Sequence, residues 1–440
     1  MEIVTILTQK FTKHILSQFV ALPFVLITGL LTGCSDDTED KVSTQLHMLT
    51  FSEVNTGLPK VVINTPDHVA ITDKDRWVSD VEMTIYNADS TIDYQGTLQA
   101  KGRGNSTWGF PKKPYALKLD KKASILGMPK HKRWCLLANW VDRTLIRNAV
   151  GFEIARQMSS LAYTPRGEFV ELFLNGKFEG NYYLCEQIKV DENRVDIAEL
   201  DENATSGVGI TGGYILEVDD HFDEDFRFIS PRGNMPWQCK DPDEVSHEQF
   251  VYVQQFVNEM EDALYDDSRF AKRDFADYLN LDTFADWWLV MELTSNIEAQ
   301  GPKSCIMHKD IDKADGTLSK LCAGPVWDFD YDTFKPERSN EYSIINNFYY
   351  QRLFHDAQFQ QIVKQRWAVL KAKGTDMYIG RYIDTLRDQL ESSASLNYTM
   401  WPPTLFMNGD TYLSYHDAVD RLKTAFLQKY AFLDYAIDQL

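Results

Sequence analysis

The chain has 440 residues, 65 acidic against 45 basic, for a formal charge of -20. That balance disfavours nucleic acid as a partner, because a phosphate backbone needs a cationic footprint, yet it leaves room for a local basic cleft. The length supports one large domain or two fused lobes around a sizeable core.

Residues 15–33 are apolar and nearly uncharged, follow Lys10, Lys13 and His14, and close on Leu31-Thr32-Gly33-Cys34. An apolar stretch that ends in small residues before a cysteine reads as a secretory signal rather than a spanning anchor. It resembles the bacterial lipoprotein signal, in which Cys34 becomes the lipidated first residue. The acidic run Ser35 to Asp40 cannot bury area and opens a flexible tether over 34–58. That run resembles the export signal of lipoproteins in Bacteroides-like bacteria. The expectation is a lipid-anchored envelope protein in the outer membrane, with surface and periplasmic exposure both open. Cys135, Cys185, Cys239, Cys305 and Cys322 show no C-x-x-C spacing and read as buried thiols rather than metal ligands, with one or two bridges still open.

Val61-Val62-Ile63 opens the folded part. Val81, Met83 and Ile85, then Leu98 and Ala100, alternate with polar residues, which predicts antiparallel strands with wet outer faces as far as Leu119. In Lys101 to Trp108, Gly102 and Gly104 flank Arg103, giving either a bend whose amides cradle an anion or a plain turn around a buried Trp108. Asp142 caps a helix running to about Met158, with Arg143 and Arg147 one turn apart. Those two guanidinium groups either clamp a carboxylate or phosphate or make ordinary salt bridges. Glu168 to Leu174 and Gly180 to Glu186 form a hairpin around Asn175-Gly176, and a further strand covers Gly213 to Asp219. Charge on Glu186 and Glu217 is costly inside a sheet, so each needs a basic partner or water.

From Ser246 the apolar period changes to 3.6, which predicts helices near 247–262, 283–294, 358–371, 376–392 and 415–438, the second capped by Asp282. Ser304 to His308 and Leu318 to Ala323 make a hairpin, and the Asp310 to Gly316 loop between them lacks the closing glutamate of an EF-hand and reads as a solvated turn. Trp237 and Trp401-Pro402-Pro403 offer flat surfaces for a glycan, the basis of a competing binding-module reading. Gly324-Pro325-Val326-Trp327-Asp328-Phe329-Asp330 puts a carboxylate just past a strand end. With Lys118 on the strand Pro114 to Leu119, it supplies the phosphate-binding cation and magnesium ligand of phosphoryl transfer.

Taken in order, Lys101 to Trp108, Lys113 to Leu119, Asn139-Trp140-x-Asp142-Arg143, Gly180 to Leu184 and Gly324 to Asp330 resemble the CotH family of kinase-like proteins, over about residues 60–345. The resemblance implies an α+β, atypical bilobal protein-kinase-like fold, with a strand-rich N-lobe over 59–220 and a helix-rich C-lobe over 221–440. It implies ATP- and magnesium-dependent transfer to a Ser or Thr hydroxyl of an envelope or extracellular protein. Carried over, Lys118 pairs the phosphates, Asp328 holds magnesium, and Asp330 aids the ion or braces its loop. Arg103, Gly104 and Asn105 touch the phosphates, and Arg143 and Arg147 join them or anchor their helix.

In Asn296 to Lys303 the family's catalytic aspartate is replaced by Glu298, whose extra methylene moves the oxygen by about 1 Å. Lys303 stands where ordinary kinases carry a metal-binding asparagine. It cannot ligate magnesium while charged, but it can offset charge on the transferring group. Asn296 or Gln300 is then the amide ligand. Two readings stay open, a working transferase with a rearranged loop and a nucleotide-binding surface lipoprotein with little transfer activity.

Overall fold

The computed structural model describes residues 49–404 and 407–440. Cys34, the expected lipidation position, and residues 34–48 of the expected tether lie outside them. No helix among the described residues is long and apolar enough to cross a membrane.

The first half forms β1 (Lys60–Asn64), β2 (Val78–Tyr86), β3 (Ile92–Gly102), β4 (Tyr115–Ile125), β5 (Met128–Leu137), β6 (Gly167–Leu174) and β7 (Lys177–Glu186). They close into a barrel in the order β1-β2-β3-β4-β5-β7-β6. Neighbours run antiparallel except at the seam, where β1 and β6 pair parallel with Lys60 opposite Glu171. Alternate side chains of a strand share a face, so Val61, Ile63, Val81, Met83, Leu98 and Trp134 all point into the barrel. Closure leaves no free sheet edge.

Wet outer faces hold for β2, where Ser79, Asp80 and Glu82 are exposed, but not for β5, β6 and β7. There Cys135, Leu137, Phe169, Tyr183 and Cys185 join a second, larger apolar core. The strands also continue past Leu119, through a turn at Leu126 and Gly127 with φ of 49° and 76°. Two successive positive φ values match the twist of a tight hairpin, and the Leu126 N–H donates to the Asp93 carboxylate at 2.7 Å.

The second core is built on α1 (Arg147–Arg156), α2 (His247–Tyr265), α3 (Leu281–Leu293), α4 (Ala357–Ala372), α5 (Thr375–Met400) and α6 (Tyr415–Asp438). A sheet accompanies them, ordered β12-β11-β8-β10-β9. Its strands are β8 (Tyr214–Val218), β9 (Arg227–Ile229), β10 (Pro236–Asp241), β11 (Cys305–Lys309) and β12 (Leu321–Ala323). The architecture is α+β. A capping box starts α2, with the Ser246 hydroxyl accepting the Gln249 N–H and the Gln249 side chain accepting the Ser246 N–H. Asp282, expected to cap α3, sits in its first turn, and Asn280 precedes the helix.

Asp142 does not start a helix either. Its carboxylate accepts the N–H of Thr144 and of Arg147, both at 2.9 Å, around a left-handed Leu145, and α1 begins only at Arg147. Arg143 therefore lies outside the helix and shares no face with Arg147.

The two strand glutamates do find partners. Glu186 pairs with Arg166 at 2.9 Å and accepts the Tyr163 hydroxyl, and Glu217 accepts from Lys240 at 3.2 Å and from Gln238 at 2.8 Å. The glycan platform expected from the tryptophans loses Trp237. Trp237 is wholly buried against Tyr349, and the Trp401 indole N–H is spent on the Glu179 carbonyl. In the Asp310 to Gly316 loop, the Asp312 carboxylate accepts from Lys309 and from the Ser319 N–H, as in an ordinary turn.

Gly151 lets α1 lie against the Asp328 loop, because a Cβ there would come within 2.4 Å of the Phe329 ring. Alanine in an open helix stabilises by about 1 kcal/mol over glycine, whereas overpacking a filled core costs about 1–3 kcal/mol. Gly151→Ala is therefore expected to destabilise the protein in a denaturant titration. A gain in midpoint would show that the helix does not need this close approach.

Candidate active site

The barrel and the second sheet face each other across a cleft of about 710 Å³. On the barrel side, β3 ends at Gly102, where a Cβ would meet the Trp108 ring at 2.3 Å, and Gly104 follows with φ 83°. Between them Arg103 donates its N–H to Pro114 and lays its guanidinium over the Trp327 ring at 5.4 Å. Trp108 is only half-buried, and Gly102, Arg103 and Gly104 line the cleft, so the bend faces it.

On the opposite side the chain leaves β12 and runs through Asp328 to Phe334 without strand or helix pairing. Asp328, Asp332 and Phe334 are left-handed, with φ of 63°, 57° and 49°, conformations that side-chain-bearing residues rarely adopt. Three buried asparagine amides hold this backbone. Asn148 on α1 accepts the Phe329 N–H at 2.8 Å. Asn296 donates to the Asp328 carbonyl at 3.2 Å and accepts the Glu298 N–H at 2.7 Å. Asn408 donates to the Asp330 and Val141 carbonyls and accepts the Asp332 N–H.

Glu298, Asp328 and Asp330 thereby line one cleft. Burial pushes Glu298 up to about 8, the Asp328 charge adds to the shift, and Lys303 opposes it. Burial also raises Asp328, against the pull of its bond to Asp330 and of Arg103. Asp330 lies well above the usual carboxylate range, through burial first and the Asp328 charge second. Like charges crowded in a dry site hold protons until a cation neutralises them. A hard divalent ion with oxygen ligands meets that need, so this donor set fits magnesium. Asp219 adds negative charge on the same wall and is fixed by the Ser304 N–H and by His221.

Of the residues singled out by sequence, Arg103, Gly104, Asn105, Glu298, Lys303, Asp328 and Asp330 come together around this cleft. Lys303 is about two-fifths exposed, 3.7 Å from Asp220. Five others, Lys118, Arg143, Arg147, Asn296 and Gln300, do not join them. Lys118 sits on the outer face of β4 opposite Gln99 and Arg133, one alternation beyond Ala116, which does line the cleft. Two residues of strand are about 6.5 Å, enough to carry its Cα away from the phosphate end. Lys101, directly across from Ala116 on β3, does line the cleft, with its ammonium 5.0 Å from the Trp77 ring.

Arg147 is fully buried between Asp142 and Asp410, and Arg143 stacks on Tyr398 at 3.9 Å, so both brace the fold and neither reaches a ligand. Asn296, expected on the metal, has its amide engaged at both ends by backbone. Gln300 is turned to the Ser343 carbonyl. Sequence reading missed Asn148, Asn408 and the cleft role of Lys101. Only Lys101 had a signal, as part of the basic cluster beside the Gly-Arg-Gly bend.

A family model described as CotH kinase protein matches residues 100–433, more than half of the chain. No curated protein matches the sequence.

Glu298 keeps a proton in the folded protein up to about pH 8, whereas the ordinary value is 4.5. The folded state therefore binds more protons than the unfolded chain across that window, and stability falls as pH rises through it. In magnesium-free buffer the melting temperature is expected to drop between pH 5 and 8, with a smaller drop in Glu298→Gln and in wild type with added magnesium. An unchanged slope in Glu298→Gln would place its titration in the ordinary range.

Proposed function

We propose that this chain, which belongs to the CotH kinase family, uses ATP and magnesium to phosphorylate Ser or Thr hydroxyls of an envelope or extracellular protein. It would act as an atypical protein kinase whose two lobes are the barrel and the helical part with the second sheet. The observation that carries this reading is that Glu298, Asp328 and Asp330 share one cleft with Lys101, Arg103 and Lys303.

Magnesium supplies charge neutralisation between phosphate oxygens and the protein. Asp328 and Asp330 are the residues that would hold it. Lys101, Arg103 and the amides around Gly104 bind the phosphates from the barrel side, with Asn105 at the exposed edge. The apolar slot of Ala116, Leu137, Ile188, Ile215 and Ile306 at the back of the cleft suits a flat purine, since pockets for such ligands are mostly apolar with few polar groups. Glu298, raised to about 8 by burial and the Asp328 charge, would accept the hydroxyl proton of the acceptor once its own is lost with magnesium bound. Lys303 offsets charge that develops on the transferring group.

The apolar segment before Cys34 supports a lipid-anchored envelope protein, exported through its signal. A protein acceptor in the same compartment is the substrate class that follows. One observation favours a second reading, nucleotide binding with weak transfer. Asn296 is held by backbone at both ends of its amide and Lys303 cannot ligate a cation while charged, so a second ion lacks its asparagine ligand in this loop.

A magnesium-dependent ATP titration with γ-phosphate transfer recorded separates the two readings. Wild type is expected to bind and transfer. Asp328→Asn should lose about 10²–10³ in turnover, the usual effect of removing a charge-stabilising group. Lys101→Ala should weaken nucleotide binding, while Lys118→Ala should stay near wild type. Binding without transfer would establish the second reading, and no ATP binding by wild type would overturn both.

A further inference from the structure

We propose that Asn408 is a positioning residue, and that the loop from Met407 to Leu413 completes the active site by setting how tightly Asp328 and Asp330 take a divalent cation. The inference rests on the reading of the cleft as a magnesium and nucleotide site.

Asn408 is 4 % exposed and makes three bonds, all to backbone. Its Nδ2 donates to the Asp330 carbonyl at 2.9 Å and to the Val141 carbonyl at 3.1 Å, and its Oδ1 accepts the Asp332 N–H at 2.5 Å. One amide thus ties the segment after β5, on the barrel side, to the carboxylate loop. Asn408 is itself left-handed, with φ 53°, a conformation asparagine tolerates better than most residues.

The amide can act as a fixed point because its loop is anchored. Asp410 is wholly buried and takes Arg147 at 2.7 Å and Arg421 on α6 at 2.8 Å. Farther along the held loop, the Asp332 carboxylate turns away from the cleft to Lys335 and Arg338. Without Asn408, the Asp330 carbonyl and Asp332 N–H lose their partner in a segment that has no ladder or helix to fall back on. Asp328 and Asp330, whose carboxyls are bonded to each other here, are then free to drift apart. Groups that orient metal ligands typically matter by about 10- to 100-fold in affinity.

The test uses the full chain and manganese alone as the probe, by calorimetry, with hydrogen exchange of residues 328–334 measured in parallel. Asn408→Ala is expected to weaken manganese binding by about tenfold or more and to speed exchange in that segment. Tyr349→Phe, which removes a hydroxyl bonded to Glu261 far from the cleft, should destabilise the fold without changing affinity. If Asn408→Ala does not fold, Arg421→Met loosens the loop from its surface side. Affinity unchanged in Asn408→Ala, or unchanged in Arg421→Met while 407–413 exchange faster, overturns the positioning role and leaves the cleft reading intact. An equal loss in Tyr349→Phe also overturns it, as a general effect of stability. No manganese binding by wild type overturns the cleft reading itself, and the positioning role with it.

Discussion

Like charge confined in a dry cleft is the constraint around which this protein is organised. Glu298, Asp328 and Asp330 are stripped of much of their water, burial raises all three above the ordinary carboxylate range, and the Asp328 charge adds to the shift of Glu298 and Asp330. Left alone, such a group relaxes by moving apart or by staying neutral. The surrounding structure prevents the first through Asn148, Asn296 and Asn408. The second leaves the carboxyls holding protons that an entering divalent cation would have to displace.

The braces come from distant parts of the chain, and this explains the fold's less regular features. Asn148 is brought in by α1, whose start is set by Asp142 and by the buried Arg147. Arg147 in turn holds Asp410, two residues from Asn408. A removed partner would leave a buried charge unpaired, which typically costs about 3–5 kcal/mol. The second sheet supplies the opposing wall, and its central strand β8 keeps Glu217 compensated by Lys240 and Gln238.

Much of the fold was legible because it follows periodicity. The barrel strands at Val61, Val81 and Leu98 and the helices after Ser246 are written in periods of two and 3.6, and both appear where expected. Barrel closure was not legible, because a parallel pair between Lys60 and Glu171 leaves no local mark. The turn at Leu126-Gly127 was missed because leucine rarely takes positive φ. At the site, the motif residues Arg103, Glu298 and Asp328 were visible as charged groups beside turns, and they do meet. Lys118 was preferred to Lys101 because strand alternation fixes a face but not a position along it. Arg143 and Arg147 were misjudged because burial, which turns a cation from ligand into brace, is decided by the 398–410 region. Asn408 carries no signal at all, since a single asparagine in a turn is commonplace.

The parallel seam also bears on how the molecule is made. With β1 near the start of the fold and its partner β6 over a hundred residues later, the first strand can find only β2 until synthesis has reached Leu174. Pairings this far apart form slowly, since the intervening loop must be ordered before any contact rewards it. Until then β1 presents an apolar strand with one unpaired side, a template for association with other chains. The nascent protein is thus most vulnerable at its beginning, and a chaperone covering Lys60–Asn64 would shield it there.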